Sequence, residues 1–109
     1  MAQQRSYASA YEQCDHKIIE LNGVPVGQMR VNWEKDSALL VDISLLPEHR
    51  GQGMGGALLR ELIQQCSSNK SPLKLQVLHT NPAQRLYERL GFVRTGEDQM
   101  YIQMERRPD

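Results

Sequence analysis

Four glycines fall within the six residues Gly51-Gln52-Gly53-Met54-Gly55-Gly56. An apolar run ending at Leu46 and a turn at Pro47 precede them, and a long amphipathic helical pattern follows. The first N–H groups of a helix have no intrahelical partner, and the helix dipole puts a partial positive charge at the same end. Glycine, lacking a Cβ, lets a ligand come close to those groups. The chemistry on offer is anion binding, with phosphate as the natural guest. Between Glu48 and Glu61 there is no Asp or Glu to oppose it. The competing account is a glycine-rich turn with no ligand. It must explain why glycines, each costing about 1 kcal/mol relative to alanine in a helix, occupy the first turn.

A second segment, Asn81 to Phe92, carries a group able to move a proton. Asn81 is a good N-cap and Pro82 suits the first helical position, where its missing N–H costs nothing. Ala83, Leu86, Tyr87 and Leu90 form the helix face; Gly91 ends the helix, and Phe92 is placed for the hydrophobic contact of a glycine cap. Tyr87 is either an inward-facing aromatic or a phenol held for proton donation.

Other elements must hold these segments. Lys17 to Leu21 and Val24 to Val31 read as strands joined by Asn22-Gly23, the strongest short hairpin signal. The apolar phase of the second strand switches around Gly27, which predicts a bulge. Ala38 to Leu46 is a nearly continuous apolar run, as in a strand buried on most of both faces. Leu58, Leu59, Leu62, Ile63 and Cys66 recur at helical spacing, and Leu73, Leu75 and Val77 alternate as a strand. Phe92 to Thr95 and Gln99 to Met104 close the chain as paired strands, with Met100, Ile102 and Met104 on one face. The order is β-β-β-α-β-α-β-β, with a parallel, right-handed β-α-β unit between antiparallel hairpins.

The totals exclude several classes. At 109 residues with a formal net charge of zero, the chain is one small domain, without a broad surface for nucleic acid or membrane. No stretch approaches the roughly 20 apolar residues of a membrane span, and Met1 to Ser6 lacks the apolar core of a signal peptide. Cys14 and Cys66 make no disulfide framework, and no Cys/His spacing suits zinc. A cytoplasmic, metal-free protein is expected.

Three glycine motifs compete for the first segment. The P-loop needs a Gly-Lys pair, and there is none. The dinucleotide fingerprint is met formally by Gly51, Gly53 and Gly56. It also needs an acidic residue about 20 positions later, and Gln64 to Tyr87 contains none. The third fits: Arg50-Gly51-Gln52-Gly53-Met54-Gly55 resembles the loop after the fourth strand of the GNAT superfamily of acetyl-CoA-dependent N-acetyltransferases. Asn81-Pro82-Ala83-Gln84-Arg85-Leu86-Tyr87-Glu88-Arg89-Leu90-Gly91-Phe92, about 25 residues further on, resembles that superfamily's second signature. The resemblance covers residues 17 to 105.

The resemblance implies an α/β (α+β) fold: a mixed, mostly antiparallel sheet with a central splayed parallel pair and helices packed on it. It implies that the backbone of Gln52, Gly53, Met54, Gly55 and Gly56, with Arg50 and Gly51, holds the pyrophosphate of acetyl-CoA. The pantetheine arm would pair with the backbone near Leu45 and Leu46, and Asn81 would add a polar contact. Tyr87 would protonate the departing thiolate. The reaction implied is direct acetyl transfer to the primary amine of a small acceptor; the alternative is a non-catalytic acyl-CoA-binding module or a subunit completed by a partner. No general base is assigned. Strict alternation puts the apolar Leu39 and Val41 on the acceptor side and Asp42 opposite, in a structural role, and His79 is more readily a surface or supporting residue. Residues 1 to 16 are expected to be an arm or short helix, with the family's usual first strand and helix lacking. One sheet face should then be partly uncovered, and a homodimer with apolar contacts is expected to cover it.

Overall fold

The computed structural model describes residues 14–108. The helical remnant considered for Ser6 to Gln13 lies outside them. β1 (Cys14–Leu21) and β2 (Val24–Trp33) form the expected hairpin. Its turn residues Asn22 and Gly23 have φ of 55° and 81°, the left-handed pair that matches strand twist. β1 starts at Cys14 rather than Lys17, because Cys14, Asp15 and His16 continue the ladder opposite Asn32, Val31 and Arg30. β3 (Ala38–Leu45) pairs antiparallel with β2 and leads through a 3₁₀ turn, Pro47–His49, into α1 (Met54–Ser68). β4 (Leu73–Leu78), α2 (Gln84–Arg89), β5 (Val93–Glu97) and β6 (Tyr101–Arg106) complete the order. The six strands lie β1-β2-β3-β4-β6-β5, and only β3 and β4 run parallel.

Two boundaries differ from the expectation. β6 begins at Tyr101, not Gln99, because Asp98 accepts from the N–H groups of Met100 (2.9 Å) and Tyr101 (2.7 Å) and closes a turn there. Met100 is therefore 60% exposed, while Ile102 and Met104 are buried. Helix α2 begins at Gln84 rather than Pro82. Asn81 does cap the entering turn, its Oδ1 accepting from Ala83 N–H at 2.9 Å. The next bonds, Gln84 N–H to Asn81 O and Arg85 N–H to Pro82 O, have 3₁₀ spacing, and the α-helical ladder starts with Tyr87 N–H to Ala83 O.

The bulge expected around Gly27 is present: Ile19 opposes Gly27 and Glu20 opposes Pro25, leaving Val26 as the extra residue. Gly27 also lets β2 and β3 approach closely, since a Cβ there would run into the Ser44 carbonyl and the Leu45 side chain. A Gly27→Ala variant is expected to lose about 1–3 kcal/mol of stability, the usual cost of overpacking, measured from the denaturant midpoint.

Both helices lie on one face of the sheet. Leu59, Leu62 and Cys66 of α1 and Tyr87 of α2 share a single buried cluster with Met29, Val31, Leu40, Leu73, Leu75 and Val77. Burial alternates strictly along β4, so Lys74, Gln76 and Leu78 face away from the helices and are exposed. Cys66 is a core residue, 2% exposed, and burial pushes its thiol pKa up. Fully burying a Leu side chain contributes roughly 1.5–3 kcal/mol, so this one cluster is what fixes α1 and α2 against the strands.

Candidate active site

The glycine segment becomes a turn and a helix start. Gly51 and Gly53 have φ of 76° and 81°, a region that strains residues carrying a Cβ. Gly53 is the N-cap of α1 and offers no side chain to its amides. The first helical bond runs from Ala57 N–H to Gly53 O at 3.0 Å, so the N–H groups of Met54, Gly55 and Gly56 lie ahead of the ladder. There is no acidic residue in the first turn, and a Cβ on Gly55 would meet nothing within 4 Å. The predicted anion cradle therefore has its backbone donors, its dipole and open space. Arg50 Nε donates to the Leu45 carbonyl at 3.0 Å. Leu46 N–H is likewise engaged, with Val26 O at 2.8 Å. Gln52 turns its side chain back to the Glu48 carbonyl at 3.3 Å.

The parallel pair parts as soon as it forms. Ala38 opposes Leu73 and Leu39 opposes Lys74, and no further pairing joins β3 to β4, although the strands continue to Leu45 and Leu78. β4 stays paired with β6 along its whole length and β3 stays paired with β2 as far as Leu45, so the sheet splits between two intact halves. The parting opens a cleft of ≈ 540 Å³ with Leu39 and Val41 on one wall, Lys74 and Gln76 on the other, and Gln103 and Met104 beyond. Backbone groups along such a parting need partners, and an extended amide-bearing chain is shaped to supply them.

Tyr87 is held in the buried cluster between the helices and the sheet by the end of its own helix. Gly91 (φ 101°) takes the left-handed cap position; Phe92 N–H donates to Tyr87 O and Gly91 N–H to Glu88 O, both at 3.0 Å. The Phe92 ring meets the Tyr87 ring edge-on, with centroids 5.7 Å apart. Tyr87 is 8% exposed. Burial first, and then the negative charge of Asp42, push its phenol pKa up. The neutral, proton-bearing phenol is thereby favoured across the neutral range.

Asp42 is the residue that periodicity misplaced. Arg30 opposes Asp42 and Val31 opposes Leu40, which leaves Val41 as a bulged extra residue in β3. The bulge reverses the alternation beyond it. Leu39 (opposite Asn32) and Asp42 (opposite Arg30) then share the face turned away from the helices, while Leu40 and Ile43 face the core. The carboxylate is further held from the neighbouring strand β2, whose Gln28 side chain is in turn held from β1. Gln28 Nε2 donates to Asp42 Oδ2 at 2.8 Å, and His16 Nε2 lies 2.9 Å from Gln28 Oε1. His79, the other titratable candidate, is tied to the β5–β6 turn instead, through Asp98 O at 2.8 Å and Glu97 Oε1 at 3.7 Å. Neither His16 nor Gln28 carries a motif signal; only strand register could have found them. Among the described residues, no group of His, Cys, Asp and Glu could hold a metal ion, and no helix is long and apolar enough to cross a membrane.

A glycine-walled helix start, a parallel strand pair that parts after two residue pairs and a buried tyrosine on the following helix are the features that the sequence comparison places in a family. The family model described as an acetyltransferase (GNAT) domain matches residues 12–94, and the chain belongs to this family. It is 38% identical over 77 residues to a ribosomal protein bS18-alanine N-acetyltransferase of Haemophilus influenzae, covering 70% of this chain and 52% of that enzyme. The crystal structure of the ribosomal-protein-S18-alanine N-acetyltransferase from Escherichia coli is similar, with a TM-score of 0.80 at 26% identity, covering 95% of this chain and 76% of that one. The PaiA N-acetyltransferase of Thermoplasma acidophilum, crystallised with coenzyme A, shares the fold with a TM-score of 0.81 at 18% identity, over 96% of this chain and 67% of that one. The chain spans about half the length of the curated relatives it matches.

Proposed function

We propose that this chain binds acetyl-CoA and transfers the acetyl group directly to a primary amine. The observation that carries this reading is the parting of β3 from β4 immediately after Leu39 and Lys74, with Tyr87 close enough to Asp42 to feel its charge. The backbone of Gln52 to Gly56 receives the diphosphate at the start of α1. Leu45 and Leu46 mark the strand edge along which the arm lies, and Arg50 leaves the Leu45 carbonyl to meet it. Asn81 adds a polar contact near the entry to α2. On the opposite face Asp42 binds the incoming ammonium and takes its proton. The neutral amine attacks the thioester carbonyl, the carbon–sulfur bond breaks, and Tyr87 gives its proton to the thiolate.

A small amine is one acceptor class. The α-amine of a protein N-terminus is the other, and the Haemophilus and Escherichia relatives, named for alanine of a ribosomal protein, favour including it. The open face that a homodimer is expected to cover carries polar side chains, Gln28, Arg30, Asp42, Lys74 and Gln76, beside exposed apolar ones, Ile18, Leu78 and Val93, so it can serve acceptor binding as well as apolar contacts. A thiol-release assay with a panel of small amines and an alanine-initiated peptide tests the proposal. Asp42→Asn is expected to lower kcat/KM for the amine about a hundred-fold while leaving coenzyme A affinity unchanged by calorimetry. Coenzyme A binding without turnover of any amine would instead support the non-catalytic module.

A further inference from the structure

We propose that Gln28, itself oriented by His16, is a positioning residue that holds the Asp42 carboxylate toward the incoming amine. This inference rests on the transferase reading above and deepens it. A carboxylate only accepts hydrogen bonds, so the Gln28 nitrogen must be the atom facing Asp42, at 2.8 Å. The amide oxygen is then the atom facing His16, and an oxygen of that kind only accepts. His16 Nε2, 2.9 Å away, must therefore carry a proton and donate it. The string runs with one polarity, from the imidazole of β1 through the amide of β2 to the carboxylate of β3. Each member fixes the orientation of the next.

The geometry explains why a string is needed. The bulge at Val41 frees Asp42 from strict alternation but leaves the strand locally irregular, and β4 has already departed on the other side. Support for the carboxylate has to come from β2. The directly opposite residue there is Arg30, and Gln28 lies two pairs further along on the same face, opposite Ser44. A neutral amide orients a carboxylate without neutralising it, which keeps the charge available for an ammonium. Arg30 on β2 stands opposite both His16 and Asp42 in the ladder, and the charge of Asp42 reaches Tyr87 on α2. All three members are only half-buried, so the string is open to the acceptor side.

The test is a set of steady-state comparisons on the intact chain, with folding checked by circular dichroism and coenzyme A affinity by calorimetry. Gln28→Leu keeps the bulk and removes both bonds. It is expected to lower kcat/KM for the amine about ten-fold with an unchanged KM for acetyl-CoA. His16→Phe, which releases the amide to flip, is expected to reproduce part of that loss. His16→Gln, which restores a donor, is expected to recover it. In an Asp42→Asn background, Gln28→Leu should cost nothing further, because coupled residues are not additive. Wild-type kinetics in Gln28→Leu, losses that add in full to those of Asp42→Asn, or a rise in KM for acetyl-CoA alone would each overturn the positioning role. A wild-type chain that releases no thiol with any amine removes the transferase reading itself, and the two failures are told apart by that control.

Discussion

Replacing Tyr87 with Phe is expected to lower kcat about a hundred-fold, at the lower end of the range for a positioned acid. The substitution removes one hydroxyl from a residue that is 8% exposed and leaves the ring that packs on Phe92, so the fold should survive intact. Coenzyme A affinity should change little, because in the proposed mechanism the phenol acts on the leaving sulfur while the diphosphate is assigned to the start of α1. The measurement is kcat beside calorimetric affinity in the same preparation. Full turnover in Tyr87→Phe would return the residue to a purely packing role. The pH dependence has a definite sign. The phenol pKa is raised by burial and by Asp42, so the neutral form is the one the fold favours. Its contribution to stability is complete below the ordinary phenol value of about 10. It is lost only as the pH rises through the raised value. Activity that depends on this proton should follow the same course, with no loss attributable to Tyr87 at neutral pH.

Gly55→Asp is expected to weaken coenzyme A binding about a hundred-fold without loss of stability. There is room for the new side chain, since nothing lies within 4 Å of a Cβ at Gly55. A carboxylate in the first turn of a helix is favourable by roughly 0.3–1 kcal/mol through the dipole, and glycine is a poor helix former to begin with. The same charge would sit where the proposed reading places the diphosphate. Two unit charges about 4 Å apart near a protein surface repel by about 4 kcal/mol before salt screening reduces it. Stability and binding therefore move in opposite directions, which an unspecific folding defect does not produce. Thermal melts with and without coenzyme A separate the two. The ligand-induced rise in Tm, a mass-action effect, should vanish in the variant while the ligand-free Tm holds or rises. An unchanged ligand-induced shift would move the anion site away from these amides.

Much of the fold was legible along the chain because its signals are local. Asn22-Gly23 tolerates positive φ at both turn positions, Gly27 breaks the apolar phase, and Gly91 followed by Phe92 closes a helix by a cap that needs only neighbouring residues. The glycine loop was legible for the same reason: Gly51 and Gly53 adopt dihedrals that glycine alone takes without strain. Asn81, by contrast, was read one step too simply, since Pro82 and Ala83 form a 3₁₀ entry rather than the first turn of α2. Tyr87 was marked by the second signature, but its proximity to Asp42 was not.

The order of elements, the glycine-walled helix start and the inward tyrosine were thus determined by the residues themselves, through backbone freedom, capping and periodicity acting over a few positions. The tertiary structure alone decided which face Asp42 occupies. A single extra residue, Val41, is invisible to any alternation count, because a bulge is defined by the partner strand and by the register the two strands adopt. Pairing with β2 sets that register, and through it the line from His16 to Gln28 to Asp42, contacts between residues 12 and 14 positions apart that no local pattern encodes.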